Sequence, residues 1–575
     1  MIVFAILLMI AGLICLIVSL VKFFGENSDS KSGVIILVVS IILGVIGMLI
    51  TAPWWHWLFV GLIYKAAPFW ITTVVIFGLG LLGFFIVRTK PANKPSLSRE
   101  QRGGYGSSRN YRETNYSNNE KKGGAGFIWS ALAVWIVFAI IMGCTWSAAL
   151  HCKVYEKLKP QSISQLYETT EIRYLPMEVA ETYGKNKVQE SEIVLGNFEP
   201  IIYNDGKLDW VAPRIPNGFW RSLLSQADGF ALIKSDGSVK MVNQTMTYGE
   251  GMYVEDNIFW QLHFKKYFVD VPEIYYTYDE STKEVLGVAP YLGYKMDYPI
   301  MMPYWEGVFV FHSNGKIEEF TPEQAQALPY LKGQRIFPED LAKLQVESWA
   351  YKYGAWTYWF DNRDKIQIPN IHNSSNQMPY LIPTSNGPKW FVATEPVGSS
   401  YGVFKIFFVD AHSGLFEIYE LPKDSALIGP NRGWEYIKSA RSDIKWGNIT
   451  ILEPRPVVNK GTLYWMVSLT SVSESGYGSV GETFLVNAKT TEVLSFKTEQ
   501  EVRNFVEKGI VQAAPIVKTT NISGQTTTIQ TLVVLANNYF AEYQKLTGAG
   551  KWNEAAQALE NLQATLKAME SVIKK

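Results

Sequence analysis

The sequence predicts N-terminal transmembrane helices, an α+β ectodomain of repeated antiparallel hairpin–helix units, and a C-terminal helical hairpin. Three observations lead there. Up to Val87 only Lys22, Lys31, Lys65, Glu26 and Asp29 carry charge, far below the density of a water-facing domain. Beyond residue 150, short β-rich runs repeatedly flank polar turns. In 531–575, apolar residues recur at helical spacing.

Four stretches, 2–20, 33–51, 69–87 and 127–150, are nearly or wholly free of charge. A bilayer core takes about 20 apolar residues as a helix, and backbone groups in hydrocarbon must pair within their own segment, so four spanning helices are expected. The first lacks a basic start and ends in Lys22-Phe23-Phe24 instead of a small-residue cleavage site, which makes it an anchor and not a signal peptide. Pro53-Trp54-Trp55-His56-Trp57 suits the headgroup layer as an interfacial connector. The predicted plan is three helices in 1–87, a disordered basic linker in 88–125, a fourth helix in 126–150, the ectodomain in 151–517, a linker in 518–530 and the helical hairpin in 531–575.

Orientation follows from charge. Residues 88–125 hold nine Lys or Arg against three Glu, in a Gly-, Ser-, Asn- and Tyr-rich composition that cannot bury a core. Basic loops stay cytoplasmic, so the domain beyond 150, with 41 basic and 48 acidic residues, is expected outside the cell membrane of a multi-pass protein. The loop's Tyr and Arg residues suit anionic headgroups or RNA, although the balanced total charge shows no bias toward nucleic acid. Cys15 and Cys144 sit in spans and Cys152 just beyond the fourth, so the ectodomain relies on an ordinary core without disulfides.

Five hairpins are legible: 231–242 around Ser235-Asp236-Gly237, 275–288 around Asp279, 308–320 around Ser313-Asn314-Gly315, 405–419 around Asp410-Ala411-His412-Ser413-Gly414, and 483–496 around Asn487-Ala488-Lys489-Thr490-Thr491. Such turns need residues that bond their own backbone or accept positive φ. Lys389-Trp390-Phe391-Val392 precedes Asp410 by about the distance that Tyr464-Trp465-Met466-Val467 precedes Asn487, the mark of a duplicated three-strand unit. Thr321-Pro322-Glu323 and Thr498-Glu499-Gln500-Glu501 are helix starts, and a further helix is predicted over 338–353.

The run Phe408-Val409-Asp410-Ala411-His412-Ser413-Gly414 resembles the hairpin of PepSY-type domains, with a degenerate copy at Leu485-Val486-Asn487-Ala488-Lys489-Thr490-Thr491. The resemblance covers about a fifth of the chain and implies an extracytoplasmic module associated with protease regulation and envelope processes. The layout as a whole resembles multipass proteins of Gram-positive bacteria and their large phages.

Chemistry-bearing motifs are few. The histidines lack metal-ligand spacing, the ectodomain proper has no Cys nucleophile, and Gly398-Ser399-Ser400-Tyr401-Gly402 reads as a loop between strands. Ser475-Gly476-Tyr477-Gly478-Ser479 lacks the Lys-Ser/Thr of a phosphate loop. Glu318-Glu319 and Asp361 with Asp364 are expected as solvated charge, and four spans without an intramembrane charge offer no ion pathway. The densest aromatic cluster supplies the candidate ligand-binding residues Trp349, Tyr353, Trp356, Tyr358 and Trp359, which would either fill a core or form an exposed platform for glycan, peptide or headgroup. The expectation is a membrane-anchored binding or scaffold protein without catalytic residues, cofactor or metal. Its partners would be the lipid bilayer and an envelope protein or cell-wall glycan. A PepSY-type protease regulator and a glycan-acting enzyme are the alternatives.

Overall fold

Long runs without charge form the first helices of the computed structural model, which describes residues 36, 38–44, 52–89, 125–202, 206–279, 281–398, 401–422, 425–474, 476–508, 525–548 and 552–573. Ala67–Thr89 and Ala125–Lys157 are helices of 23 and 33 residues. Among the described residues, Trp129–Lys157 alone is long and apolar enough to cross a membrane by itself. The wide helix Trp57–Tyr64 and Ala67–Gly83 qualify as a pair, bent by 57°. The long helices pack through Phe69 on Phe138 (5.5 Å) and a bond from Trp135 Nε1 to Thr73 Oγ1 (3.0 Å). Val74, Leu79, Val137 and Ile140 nevertheless stay exposed, the reverse of a helix that faces water. The predicted helix at 2–20 lies outside the described residues, as does nearly all of 88–125; of 33–51, residues 36 and 38–44 are described, as helix.

The chain divides into two units, Met1–Ile516 and Val517–Lys575. Beyond the apolar helices the first unit is mixed α/β with antiparallel sheets. In the first sheet, Ile193–Leu195 and Glu199–Ile202 both pair with Leu208–Pro216, which continues to Ala227–Ile233 and Val239–Met246. The second is a meander of Tyr275–Asp279, Glu284–Asp297, Ile300–His312 and Ile317–Phe320. The third runs Tyr380–Thr384, Gly387–Pro396, Lys405–Asp410, Phe416–Glu420, with Gln161–Ile163 added in parallel at its edge. The fourth runs Ile449–Asn459, Thr462–Ser473, Gly476–Asn487, Val493–Phe496. Strands such as Lys405–Asp410 are buried almost throughout, which explains their continuous apolar sequence.

The five expected hairpins all pair antiparallel. One device closes each turn: the Asx side chain accepts from the backbone N–H two residues on. Asp236 takes Ser238 (2.8 Å), Asp279 takes Ser281 (2.9 Å), Asn314 takes Lys316 (2.9 Å), Asp410 takes His412 (3.0 Å) and Asn487 takes Lys489 (2.9 Å). The spacing seen in the sequence is also a register: Lys389 stands opposite Asp410 as Tyr464 stands opposite Asn487.

Sequence reading placed helices after hairpins; a helix also precedes each sheet. These are Met177–Lys187, Ile258–Lys265, Glu339–Ser348 and Pro430–Ala440. Three fully buried tryptophans fix three of them. Trp210 Nε1 donates to Leu175 O (3.0 Å), Trp390 Nε1 to Phe337 O (3.1 Å) and Trp465 Nε1 to Ile428 O (2.8 Å), in each case a carbonyl two residues ahead of the helix. Burying an indole demands a partner for its N–H, and an incoming loop supplies one. The capped starts hold: Thr321 and Gln324 form a reciprocal capping box, and Glu501 N donates to Thr498 Oγ1 at 3.3 Å. The helix expected over 338–353 stops at Ser348 and tightens into a 3₁₀ turn, Trp349–Tyr351, which turns Trp349 inward.

Buried charge joins the layers. Arg335 is fully buried and binds Glu199 of the first sheet (2.6 Å) and Glu273 ahead of the second (2.7 Å), with Glu339 of the helix before the third at 3.9 Å. Arg173 pairs with Glu453, and Arg455 donates to the carbonyls of Arg173 and Tyr174 at 2.6 Å, fixing the segment ahead of Met177–Lys187 to the fourth sheet.

The second unit holds helices Gln525–Gly548 and Trp552–Ile573. The expected linker 518–530 is helical from Gln525 onward: Thr costs a helix only tenths of a kcal/mol, roughly, so the apolar register of the following residues carries the helix back through it. In the second helix Ala555, Ala558 and Thr565 are buried while Leu566 is exposed.

Candidate functional site

The Trp-dense connector folds onto the large domain. His56 lies just ahead of the helix Trp57–Tyr64, and its Nε2 is 2.9 Å from the carbonyls of both Tyr267 and Val269. Its ring stacks on His263 at 3.6 Å with planes 10° apart. His263 belongs to the helix Ile258–Lys265, whose start is capped by Asn257 accepting from Trp260 N at 3.1 Å. Burial, with the neighbouring His56 ring adding to it and Asp270 opposing it, pushes the His263 imidazole down to about 3, so it is neutral at ordinary pH.

Lys65, just after that wide helix, pairs with Asp270, which also accepts the Tyr294 hydroxyl. The Lys65 ammonium lies 4.7 Å from the Tyr294 ring centre, and Tyr64 donates to Tyr294 O at 3.2 Å. Burial and the Asp270 charge hold the Tyr294 phenol well above its usual range, so it remains a donor. Backbone bonds in both directions between Asp270 and Leu292 (2.9 and 2.8 Å) fix the carboxylate to the second sheet.

Beside these groups is a cavity of about 480 Å³, open on one side. Its apolar wall comes from Trp146 and Leu150 of the long helix, Leu292 and Met301 of the second sheet, and Leu341 and Leu344 of the helix Glu339–Ser348; Asp340 stands at its rim. His263 also lines a second cavity of about 400 Å³, with Pro53, Phe219, Tyr253 and Trp260. His263 and Phe259 are thus shared by two recesses. The arrangement can hold an amphiphilic group: apolar walls, and a polar end whose ammonium and carboxylate already compensate each other. Among the described residues no group of three or more His, Cys, Asp or Glu is placed to hold a metal ion.

The five aromatics singled out from the sequence lie elsewhere and do not form one platform. Trp349 is buried, edge-on to Tyr155 (5.5 Å) and Phe407 (5.7 Å). Tyr358 is half-buried, stacked on Tyr351 at 4.0 Å. Tyr353, Trp356 and Trp359 are exposed, Trp356 at 73%. Glu318 and Glu319, expected as solvated charge, are engaged in ion pairs. Glu318 binds His312 (2.9 Å) and Lys316 (2.7 Å), and Glu319 binds Lys266 and Tyr291 (both 2.8 Å). Gly398 follows the strand Gly387–Pro396 and Gly402 begins the short strand Gly402–Val403; Ser399 and Ser400 are outside the described residues. Sequence reading missed the His56–His263 pair because its members are 207 positions apart and neither has ligand spacing; the available signal was a histidine within a Trp-dense connector. No family model, no curated protein and no solved structure matches the chain.

Proposed function

We propose that this chain is a multi-pass membrane protein presenting a large binding or scaffold domain on the extracytoplasmic side of a cell envelope, with the cavity beside His56 and His263 as its ligand site. The observation that carries the reading is the clamp between apolar helices and domain: His56 on the 267–269 backbone, Lys65 on Asp270, Tyr64 on Tyr294, and Lys153 on Asp297 at 3.4 Å. Such bonds suit a domain held against the surface from which its helices emerge, with the cavity at that junction. Exposed apolar faces on the long helices, the basic 88–125 loop and the acidic excess beyond 150 support the same orientation.

The second reading, a PepSY-type regulator of an envelope protease, is favoured by one feature. The Lys389/Asp410 and Tyr464/Asn487 registers, each with its buried Trp on the carbonyl ahead of a helix, suit two copies of one helix-plus-meander module. Membrane fractionation of the native host with protease protection tests the first reading. Partitioning with the membrane and cleavage of 151–575 from outside are expected; a freely soluble chain or cleavage confined to 88–125 overturns it. In-cell crosslinking then separates the readings: recovery of one envelope protease favours regulation.

A further inference from the structure

We infer that the membrane-proximal face of the large domain is itself embedded in the headgroup layer of the bilayer, through exposed aromatic patches grouped around the helices; this rests on the membrane reading above. Four patches carry it. Trp220 (69%) and Leu224 (76%) are exposed on the helix Phe219–Leu224, which shares a cavity wall with Pro53 at the start of the connector. Phe268 is 53% exposed, and its ring lies 4.7 Å from that of Tyr64. Tyr298, at the tip of the long hairpin of the second sheet, is 59% exposed and its hydroxyl is 3.3 Å from Thr72 Oγ1. Trp356 (73%) and Phe360 (66%) form a ring pair at 4.4 Å on the helix Gly354–Phe360, whose Tyr358 stacks on Tyr351 and through it on His151 of the long helix at 5.0 Å.

Three of the patches therefore touch an apolar helical segment, and the helix of the fourth lines a recess together with Pro53, just ahead of one. Thr72 is five residues into Ala67–Thr89, roughly 8 Å along its axis at about 1.5 Å per residue. A headgroup layer is roughly 5–7 Å thick on each side of the hydrocarbon, so for a helix that enters the layer at Ala67 a side chain that reaches Thr72 from the domain stands near the layer's inner boundary. Trp and Tyr are the side chains that prefer this depth, apolar in body and polar at one edge, and Phe268 and Phe360 add apolar area beside them. Isolated exposed apolar residues need no explanation, but four aromatic patches around one set of apolar helices are continuous with the surface those helices present to lipid. Trp356 of the aromatic cluster is thereby assigned to lipid and not to glycan.

The test uses the full-length chain with Cys15, Cys144 and Cys152 replaced by Ser, in phosphatidylcholine–phosphatidylglycerol vesicles. One nitroxide is attached at a time through Trp220→Cys, Tyr298→Cys, Trp356→Cys, Val137→Cys, Lys185→Cys or Glu435→Cys. At 220, 298 and 356 the ratio of collisions with oxygen to collisions with a water-soluble nickel chelate is expected several-fold above that at 185 and 435, and below that at 137. If 137 reads as lipid while 220, 298 and 356 match 185 and 435, the membrane reading stands and this inference fails. If 137 reads as water, both fail. Low collision with both reagents at 220, 298 and 356, or a change there on adding cell-wall glycan, means another occupant and also overturns it. Brominated lipid chains offer a check without labels: they should quench the unlabelled protein more than the Trp220→Phe/Trp356→Phe variant, and equal quenching refutes the inference.

Discussion

Replacing Arg335 by Met removes the one cation among Glu199, Glu273 and Glu339 while keeping most of the side chain's volume. The guanidinium is fully buried, with two carboxylate contacts at 2.6 and 2.7 Å, and its charge lies 4.8 Å from the Tyr275 ring centre. Losing one partner of a buried ion pair costs about 3–5 kcal/mol because the remaining charge is stranded. At roughly 2.1 cal/mol/K of unfolding entropy per residue, a unit as large as Met1–Ile516 shifts by about 1–1.5 °C per kcal/mol, so the expected fall in Tm is about 3–8 °C, read by tryptophan fluorescence on the full-length protein. The loss should shrink as pH falls. Burial already holds Glu199 above the ordinary carboxylate range even with Arg335 present. Without the guanidinium its folded pKa rises further, so the folded state takes up protons more readily than the unfolded chain, and stability is lost as pH rises. A Tm within about 2 °C of the parent, or a deficit that is the same at pH 5 and pH 8, would refute the reasoning.

Three further outcomes are expected. His263, with its pKa pushed down to about 3 by burial, binds protons more weakly folded than unfolded, so its stabilising contribution is complete above about 6.5 and declines as pH falls toward 3. At pH 5 the decline is about 1–2 kcal/mol, and His263→Phe should flatten that part of the Tm–pH curve; an unchanged slope counts against a neutral buried imidazole. Asp410→Ala removes the turn acceptor and one of the two carboxylates on the buried Lys389, at 3.0 and 2.9 Å. It should cost about 2–4 kcal/mol by denaturant titration, against about 1 kcal/mol for Asn487→Ala, which loses turn bonds and a bond with Tyr464 but strands no buried charge. Gly229 has φ +70° in a bulge of the first sheet, and a Cβ there would stand 2.0 Å from Val242 O. Gly229→Ala should therefore lower Tm by several degrees, whereas Gly333→Ala, with φ +77° and open space around it, should cost only about 1 kcal/mol.

The comparison of Asp410 with Arg335 shows what was legible in the sequence. Asp410, Asn487, Asp279, Asn314 and Asp236 were readable as turn residues because each bonds a backbone N–H two positions away. Thr321 and Thr498 were readable as caps for the same reason. The Arg335 cluster was invisible, since Glu199 is 136 positions away and ordinary in its own neighbourhood. Apolar content announced the long helices, but not that the connector would curl back so that His56 meets His263. The aromatic cluster was found but could not be sorted. Whether Trp349 points inward and Trp356 outward depends on where the helix Glu339–Ser348 ends and tightens, which aromatic residues alone do not signal.

Only Leu158, Lys159 and Pro160 separate the long helix ending at Lys157 from the strand Gln161–Ile163, which pairs in parallel with Glu417–Tyr419 at the edge of the third sheet. Proline fixes φ at about −65° in that short bridge. A connection so brief has almost no slack and acts as a shaft keyed into the sheet. Turning or tilting the helix must either drag the sheet edge with it or unzip three residues of pairing, so torque on the helix is felt first at that seam.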